Sequence, residues 1–172
     1  MRNRSFASAA AILAFAMVST VAYAQSEGPT KEVSTFKDWK TFEHRGAPGD
    51  ICFATSQPKE TEPTGVSRES AYFYVSAWPS DGVKSEVSLK LGYAIKSDSP
   101  VTVEIGNARF SLFSKGDKAF VSDPNEELKL VNAMKRGSFM TVTATSDSGT
   151  QTKDTYSLLG VTAAINAINS CT

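Results

Sequence analysis

Hydrophobic and polar residues alternate in short runs along most of the chain, which is the pattern of half-buried β-strands. In the clearest run, between residues 86 and 96, the apolar positions are Val87, Leu89, Leu91, Tyr93 and Ile95. The intervening Glu86, Ser88 and Lys90 predict that the other face of this strand is solvated. Further strands are predicted over residues 36–42, 51–56, 70–78, 101–105, 108–112, 118–121, 139–145 and 150–158. About nine short strands separated by turns predict a mainly antiparallel β-sandwich or flattened barrel.

Two short helices interrupt and close this β-rich pattern. The first has Asp123 as N-cap and Pro124 at the first helical position, and its apolar stripe is Leu128, Val131 and Met134. The second follows Gly160, and its apolar positions at helical spacing are Val161, Ala164, Ile165, Ile168 and Cys171. We therefore expect the C-terminal helix to pack on the sheet, with a thiol at the end of its buried stripe.

The first 24 residues have the three parts of a secretory signal peptide. Arg2 and Arg4 form the positive end, residues 9–18 the apolar core, and Ala22-Tyr23-Ala24 the cleavage site. We therefore expect an exported protein, periplasmic or secreted, whose mature chain begins at Gln25.

Cleavage after Ala24 leaves 148 of the 172 residues, which is the size of one ordinary domain. We expect a flexible lead-in over residues 25–35 and a single β-rich domain over residues 36–172. No later apolar run approaches the roughly 20 residues that a membrane-spanning helix needs, so no transmembrane segment is expected.

The mature chain has nearly balanced charge. Without the two arginines of the leader, 16 basic residues remain beside 18 acidic ones, for a net charge of about −2. Because there is no basic excess to neutralise phosphates, nucleic acid and anionic membrane surfaces are not expected partners.

The two cysteines are Cys52, on an early predicted strand, and Cys171, at the end of the closing helix. In an oxidising compartment two cysteines are more often paired than free, so we predict an internal disulfide. It would enclose nearly the whole mature chain and stabilise it by roughly 4 to 5 kcal/mol in the chain-entropy model. Two buried thiols, or an intermolecular bridge, are the alternatives.

Candidate catalytic groups are few. His44 is the one histidine, and it is predicted to lie in a loop beside Glu43. A Cys-His nucleophile pair would need Cys52, which the predicted disulfide already uses. We interpret His44 as a solvated loop residue, with a weak alternative in which it acts with Glu43 and Asp50 in a hydrolase. One histidine and two distant thiols predict no metal site, and no cofactor is expected.

Two motif matches have simpler explanations. Ser56-Gln-Pro-Lys59 matches the Ser-x-x-Lys pattern of penicillin-recognising enzymes, but Pro58 lies where that pattern needs a helical turn. Asp123, Asn125 and Glu127 have the spacing of a calcium loop, but the glycine and the distal glutamate of such a loop are missing. Helix capping explains these three residues better.

The predicted strand over residues 70–78 carries aromatic side chains at alternate positions. Tyr72, Tyr74 and Trp78 share one face, opposite Phe73 and Val75. Such a row is a candidate recognition platform at the surface. The alternative, which is the more common fate of an aromatic strand face, is that a second sheet or a helix covers it.

The end of the chain resembles a known family. Gly137-Ser-Phe-Met-Thr-Val-Thr143, followed by Ser148-Gly-Thr-Gln-Thr-Lys-Asp-Thr-Tyr-Ser-Leu-Leu-Gly-Val-Thr-Ala-Ala164, is similar to the invasion-associated locus B proteins, small exported proteins of α-proteobacteria. Phe36-Lys-Asp-Trp39, the strand carrying Cys52 and the signal peptide fit the same pattern. The resemblance implies a periplasmic or envelope-associated protein named for a role in host-cell invasion, and it implies no catalytic residues.

Together these observations predict a non-catalytic binding or interaction protein of the periplasm or cell envelope, linked to host-cell invasion or envelope maintenance. Its expected partner is an unknown envelope or host protein, and the chain is expected to be a monomer or a weak oligomer. The alternative is an unrecognised periplasmic hydrolase, or an inhibitor of one. A surface adhesin follows only from the family name.

Overall fold

A computed structural model describes residues 29–46 and 49–171 of the chain, and the predicted signal peptide over residues 1–24 lies outside these ranges. The strands are β1 (Thr30–Phe36), β2 (Trp39–His44), β3 (Ile51–Ser56), β4 (Glu60–Glu62), β5 (Tyr72–Trp78), β6 (Val83–Lys90), β7 (Val101–Ile105), β8 (Ala108–Lys115), β9 (Lys118–Phe120), β10 (Phe139–Thr145) and β11 (Gln151–Ser157). The helices are α1 (Pro124–Arg136) and α2 (Val161–Asn169), and a short 3-10 turn over Pro79–Asp81 joins β5 to β6.

The strands form one antiparallel sheet that bends into two layers. Their order is β1-β2-β3-β5-β6-β9-β8-β7-β10-β11-β4, and β8 connects the layers because it pairs with β9 on one side and β7 on the other. Within the described ranges the terminal strands β1 and β4 are not joined to each other, so the sheet is open and sandwich-like. The predicted fold class is confirmed, with eleven strands in place of about nine.

The prediction of a lead-in without regular structure was wrong from Thr30 onward. Strand β1 pairs with β2 from Thr30 opposite His44 to Phe36 opposite Trp39. The run over residues 36–42, predicted as one strand, is divided by a tight turn in which Lys37 has a φ of 57°. Since β1 is an edge strand, its mostly exposed and polar side chains do not prevent pairing.

Two other segments differ from the predicted pattern. The segment between the predicted strands over residues 51–56 and 70–78 contains the short strand β4, which lies at the other edge of the sheet and pairs with β11. The strand predicted to reach Ile95 ends at Lys90. Gly92 has a φ of 76°, and a Cβ there would overlap the carbonyl oxygen of Glu69, so the chain turns at a position that only glycine readily occupies.

The inner faces of both layers enclose the hydrophobic core together with the helices. Trp39 is fully buried, and its Nε1 donates a hydrogen bond to the carbonyl oxygen of Ser157 at 3.0 Å, which links β2 to the opposite layer. Helix α2 packs on β2 and β3. Its predicted stripe is buried as expected, at Val161, Ala164, Ile165 and Ile168.

Helix α1 begins as predicted, because the Asp123 carboxylate accepts hydrogen bonds from the backbone N–H groups of Asn125 and Glu126 at 2.7 and 3.2 Å. Its predicted stripe was wrong at Leu128, which is 57% exposed. The Glu127 carboxylate accepts a hydrogen bond from the Val87 N–H at 2.7 Å. This contact turns the Glu127 side of α1 toward β6 and leaves Leu128 at the surface.

Candidate functional site

Strand β5 separates a buried face of the sheet from a half-exposed one. Phe73 and Val75 point into the core and are fully buried. Tyr72, Tyr74 and Trp78 lie on the opposite face and are half-buried. The facing layer and α2 pack on the inner side, so these three aromatic side chains lie on the outer side of the sheet.

The register of the sheet brings rings from neighbouring strands next to this row. Phe42 on β2 is paired with Phe53 on β3, with ring centroids 5.2 Å apart. The Phe53 and Tyr74 centroids are 6.0 Å apart, and those of Tyr72 and Tyr74 are 5.8 Å apart. We call the outward-facing, half-buried set the aromatic face; its members are Phe42, Phe53, Tyr72, Tyr74, Trp78 and Phe120.

A concave region of about 630 Å³ crosses the aromatic face above β6. Ser88 on β6 lies between Tyr74 on β5 and Phe120 on β9, so a small side chain separates two rings. Ser76 is a second small residue in the lining. We call this region the serine cleft; its floor is Ser76 and Ser88, and its aromatic walls are Phe53, Tyr74, Trp78 and Phe120.

Two polar atoms on this side of the sheet are buried and have no hydrogen-bond partner among the described residues. They are the indole Nε1 of Trp78, in the serine cleft, and the hydroxyl of Thr55, beside Tyr72. A third such atom in the described ranges, the Tyr156 hydroxyl, lies in the core. A buried donor without a partner costs about 1 to 3 kcal/mol, so such atoms are uncommon and need an explanation.

The polar groups around the cleft are positioned by ion pairs and by burial. Lys90 Nζ lies 2.6 Å from Glu69 Oε2, and this hydrogen bond raises the pKa of Lys90 and lowers the pKa of Glu69. Burial, with a smaller contribution from Tyr72, raises the pKa of Tyr74. The Tyr74 hydroxyl is therefore protonated at neutral pH and can both donate and accept a hydrogen bond.

The weak catalytic candidates lie around the end of β2. His44 was predicted in a loop, but it is the last residue of β2, paired with Ile51, and its Nδ1 lies 3.1 Å from Thr30 Oγ1. Glu43 and Asp50 both form ion pairs with Arg45, and this guanidinium lowers the pKa of Asp50. Since neighbouring residues of a strand point to opposite faces, Glu43 and His44 diverge.

Cys52 and Cys171 are joined by a disulfide, with their Cα atoms 6.3 Å apart. Cys52 is buried on β3 and Cys171 follows α2, so the bond fastens the helix to the inner face of the sheet. The two sulfur atoms and a Glu43 carboxylate oxygen lie within 4.8 Å of one another. Because the sulfurs are bonded to each other, this group offers no pair of thiolates to a metal ion.

A buried ion pair between Arg68 and Asp154 is the feature that the sequence interpretation missed. The Asp154 side chain is fully buried, and Arg68 Nη1 donates to its Oδ2 at 2.8 Å. Thr61 Oγ1 also donates to the same carboxylate at 2.8 Å. The signal was available, since Asp154 lies between Thr152 and Tyr156 at the inward positions of a strand, where a charge needs a partner.

The other members of the aromatic face were also missed, although the alternation of β3 placed Phe53 opposite buried Cys52. What the sequence lacked was the order of the strands. Phe120 lies far from Tyr74 along the chain, and only the pairing of β5 with β6 and of β6 with β9 brings them to the same cleft.

Comparison with known proteins identifies one family. The family model described as Invasion associated locus B (IalB) protein matches residues 39–169, which include every strand from β2 to β11 and both helices. No curated protein and no solved structure matches the chain. Neither helix in the described part of the chain is long and apolar enough to cross a membrane.

Proposed function

The chain belongs to the invasion associated locus B family, and from this premise we propose that it is a non-catalytic binding protein of the cell envelope. In this proposal the aromatic face is the surface that contacts the partner. Aromatic residues are enriched at binding sites because they provide a large, rigid contact area at low entropic cost. In this proposal, recognition on this face serves envelope maintenance or contact with a host cell.

The observation that carries the proposal is the combination of exposed rings with the unpartnered Trp78 Nε1 and Thr55 hydroxyl. Half-buried rings alone are common on sheet surfaces. Rings that surround a cleft containing a donor without a partner have the composition of a ligand site, which is mostly apolar with a few polar groups.

The proposed location is the periplasm or the cell exterior. Family membership and the disulfide between Cys52 and Cys171 both fit an oxidising compartment. Cleavage after Ala24 is part of the proposal, so N-terminal sequencing of the protein recovered from the periplasm is expected to begin at Gln25. A recovered protein that still begins at Met1 would contradict export through this leader.

The proposed function involves no turnover. Glu43 and Asp50, the acids that a hydrolase would combine with His44, both bind Arg45. His44→Ala is therefore expected to leave any hydrolytic background of the purified protein unchanged. A hydrolytic activity of the purified protein that disappears in His44→Ala would favour the enzyme hypothesis instead.

Site-specific photo-crosslinking in living cells tests the proposed face. A photo-reactive amino acid in place of Tyr72 lies on the aromatic face, whereas one in place of Phe139, which is 58% exposed on β10, lies in the other layer. We expect crosslinked envelope products from position 72 and none from position 139. Identical products from both positions, or none from position 72, would contradict the assignment of this face.

The setting of the interaction requires a separate measurement. Protease treatment of intact cells digests a protein on the cell surface, and it spares one inside the outer membrane. Digestion of the intact-cell protein would support contact with a host, whereas protection would support envelope maintenance.

A further inference from the structure

The shape of the serine cleft restricts what can occupy it. Its floor is formed by small side chains at Ser76 and Ser88, and its walls by rings from three strands, including Tyr74 and Phe120. A concave surface between rings accepts a flat group that presents C–H bonds to the aromatic surfaces. Its volume of about 630 Å³ lies within the range of about 300 to 1,000 Å³ typical of small-ligand sites.

The floor and walls of the cleft carry neutral polar groups, which suit a ligand rich in hydroxyl or amide groups. The indole Nε1 of Trp78 needs an acceptor, and the hydroxyls of Tyr74, Ser76 and Ser88 can donate or accept. The Trp78 Nε1 atom is covered by neighbouring atoms, so a ligand reaches it through a side-chain rotation. Trp78 itself is half-exposed, which leaves its indole partly uncovered at the cleft wall.

The charged side chains that line the serine cleft sum to a net charge of about zero. The lining contains two carboxylates, Glu86 and Asp117, and two ammonium groups, Lys90 and Lys118. Lys90 is already bound to Glu69. A polyanion such as nucleic acid or an anionic lipid surface therefore gains little electrostatic attraction here. The binding free energy of a neutral ligand does not depend on a net charge in the cleft.

From these three observations we propose that the serine cleft binds a neutral glycan of the cell envelope, with a sugar ring between Tyr74 and Phe120. The inference rests on the proposed binding function and names its ligand class. A sugar ring has an apolar C–H face for the aromatic walls, and its hydroxyl and acetamido groups supply partners for Trp78 Nε1 and for the hydroxyls of Tyr74 and Ser88. No covalent step is involved.

Calorimetric titration of the exported protein, with its disulfide intact, tests the proposal. The probe is a soluble hexamer of β-linked N-acetylglucosamine. Ser88→Leu fills the floor of the cleft from a half-exposed position, and Trp78→Ala removes a wall and the unpartnered N–H. We expect saturable binding that each variant weakens by about tenfold or more, which is the usual loss when a central aromatic contact is removed.

Phe139→Ser is the matched control, because it removes an exposed ring from the other layer and is expected to leave the affinity unchanged. The intrinsic fluorescence gives an independent readout, since Trp39 is fully buried in the core and Trp78 is in the cleft. Any change in tryptophan fluorescence that the hexamer causes in the wild type should therefore disappear in Trp78→Phe. Circular dichroism of each variant establishes that a lost signal reflects the cleft and not the fold.

The proposal is overturned if the hexamer does not bind, or if Ser88→Leu and Trp78→Ala bind it as tightly as the wild type. It is also overturned if the cleft variants abolish binding to vesicles containing phosphatidylglycerol, or self-association, in place of glycan binding. The proposed function fails separately. If the hexamer does not bind but crosslinking from position 72 persists, the ligand class is wrong and the recognition face stands.

Discussion

The two faces of β5 differ in the burial of their aromatic side chains and in the polar atoms that lie beside them. Phe73 and Val75 on the inner face are fully buried, and the Phe73 ring centroid lies 6.1 Å from that of Trp39 and 5.9 Å from that of Tyr156. Tyr72 and Tyr74 on the outer face have similar size but remain half-exposed, beside polar atoms without partners. Aromatic content alone therefore does not identify a core. The side of the sheet on which the helices and the second layer lie decides it.

Truncating one residue from each face gives the largest expected difference. Phe73→Ala is expected to lower the free energy of unfolding by about 3 to 5 kcal/mol, because it leaves a cavity in the core. Tyr74→Ala, its neighbour on the outer face, is expected to lower it by about 1 kcal/mol, because the ring is half-solvated. Chemical denaturation of both variants measures the difference. Equal losses would mean that the outer ring is part of the core.

Removing the disulfide tests how far the packing of α2 on the inner face of the sheet depends on its covalent attachment to β3. The double variant Cys52→Ala with Cys171→Ser is expected to lose about 3 to 4 kcal/mol, because the bond closes a loop with a sequence separation of 119 and measured losses usually fall below the roughly 4 to 5 kcal/mol of the chain-entropy model. Thermal unfolding of the wild type should show the same loss when a reductant is added, and the variant should not respond to it. A variant as stable as the oxidised wild type would show that α2 packs without the bond.

Loss of one partner of the buried Arg68–Asp154 ion pair is expected to lower the free energy of unfolding about as much as loss of one core contact. Asp154→Asn leaves Arg68 with a buried, uncompensated charge and should cost about 3 kcal/mol. Combining it with Arg68→Met removes that charge and should recover much of the loss. Arg109→Met is the surface control, since its pair with Glu104 is largely exposed and should contribute less than about 1 kcal/mol. A double variant with a lower free energy of unfolding than Asp154→Asn would contradict this account.

The smallest expected effect is a pH dependence at the contact between α1 and β6. Burial raises the pKa of Glu127, although the Val87 N–H opposes the shift and Glu86 adds to it. The folded state therefore binds the proton more tightly than the unfolded state, so stability falls as the pH rises through the folded pKa. Glu127→Gln keeps an acceptor for Val87 and should be slightly more stable than the wild type at neutral pH.

That difference should vanish below the unfolded pKa of about 4.3, where both states of the wild type are protonated. Denaturation midpoints of both proteins between acidic and neutral pH measure it. A stability gap that is constant across this range would show that Glu127 does not titrate on folding.

Much of the fold could be predicted because it depends on local patterns. The turn at Gly106 and Asn107 separates β7 from β8 as predicted, and the capping of α1 by Asp123 follows from residues a few positions apart. The errors occurred where distant contacts override local preference. Polar residues of β1 form a strand because β2 offers an edge, and the Glu127 contact rotates Leu128 out of the predicted stripe.

The candidate site was predictable only in part. Alternation placed Tyr72, Tyr74 and Trp78 on one face, but it could not state whether that face lies inside or outside the sandwich. Phe120 and Ser88 lie next to each other in the site only because β6 pairs with β9. Pairing order depends on how the whole sheet bends, and no short stretch of sequence contains that information.

Local sequence patterns are enough to predict the antiparallel β-rich class, the apolar stripe of α2 and the two cysteines available for a bridge. These follow from the two-residue period of strands, the 3.6-residue period of helices and the count of thiols. The tertiary structure alone decided that the aromatic row of β5 faces outward, that Ser88 separates two rings, and that Asp154 meets Arg68. Each of these depends on which strands become neighbours when the sheet bends around its core, and neighbours in space are set by global packing.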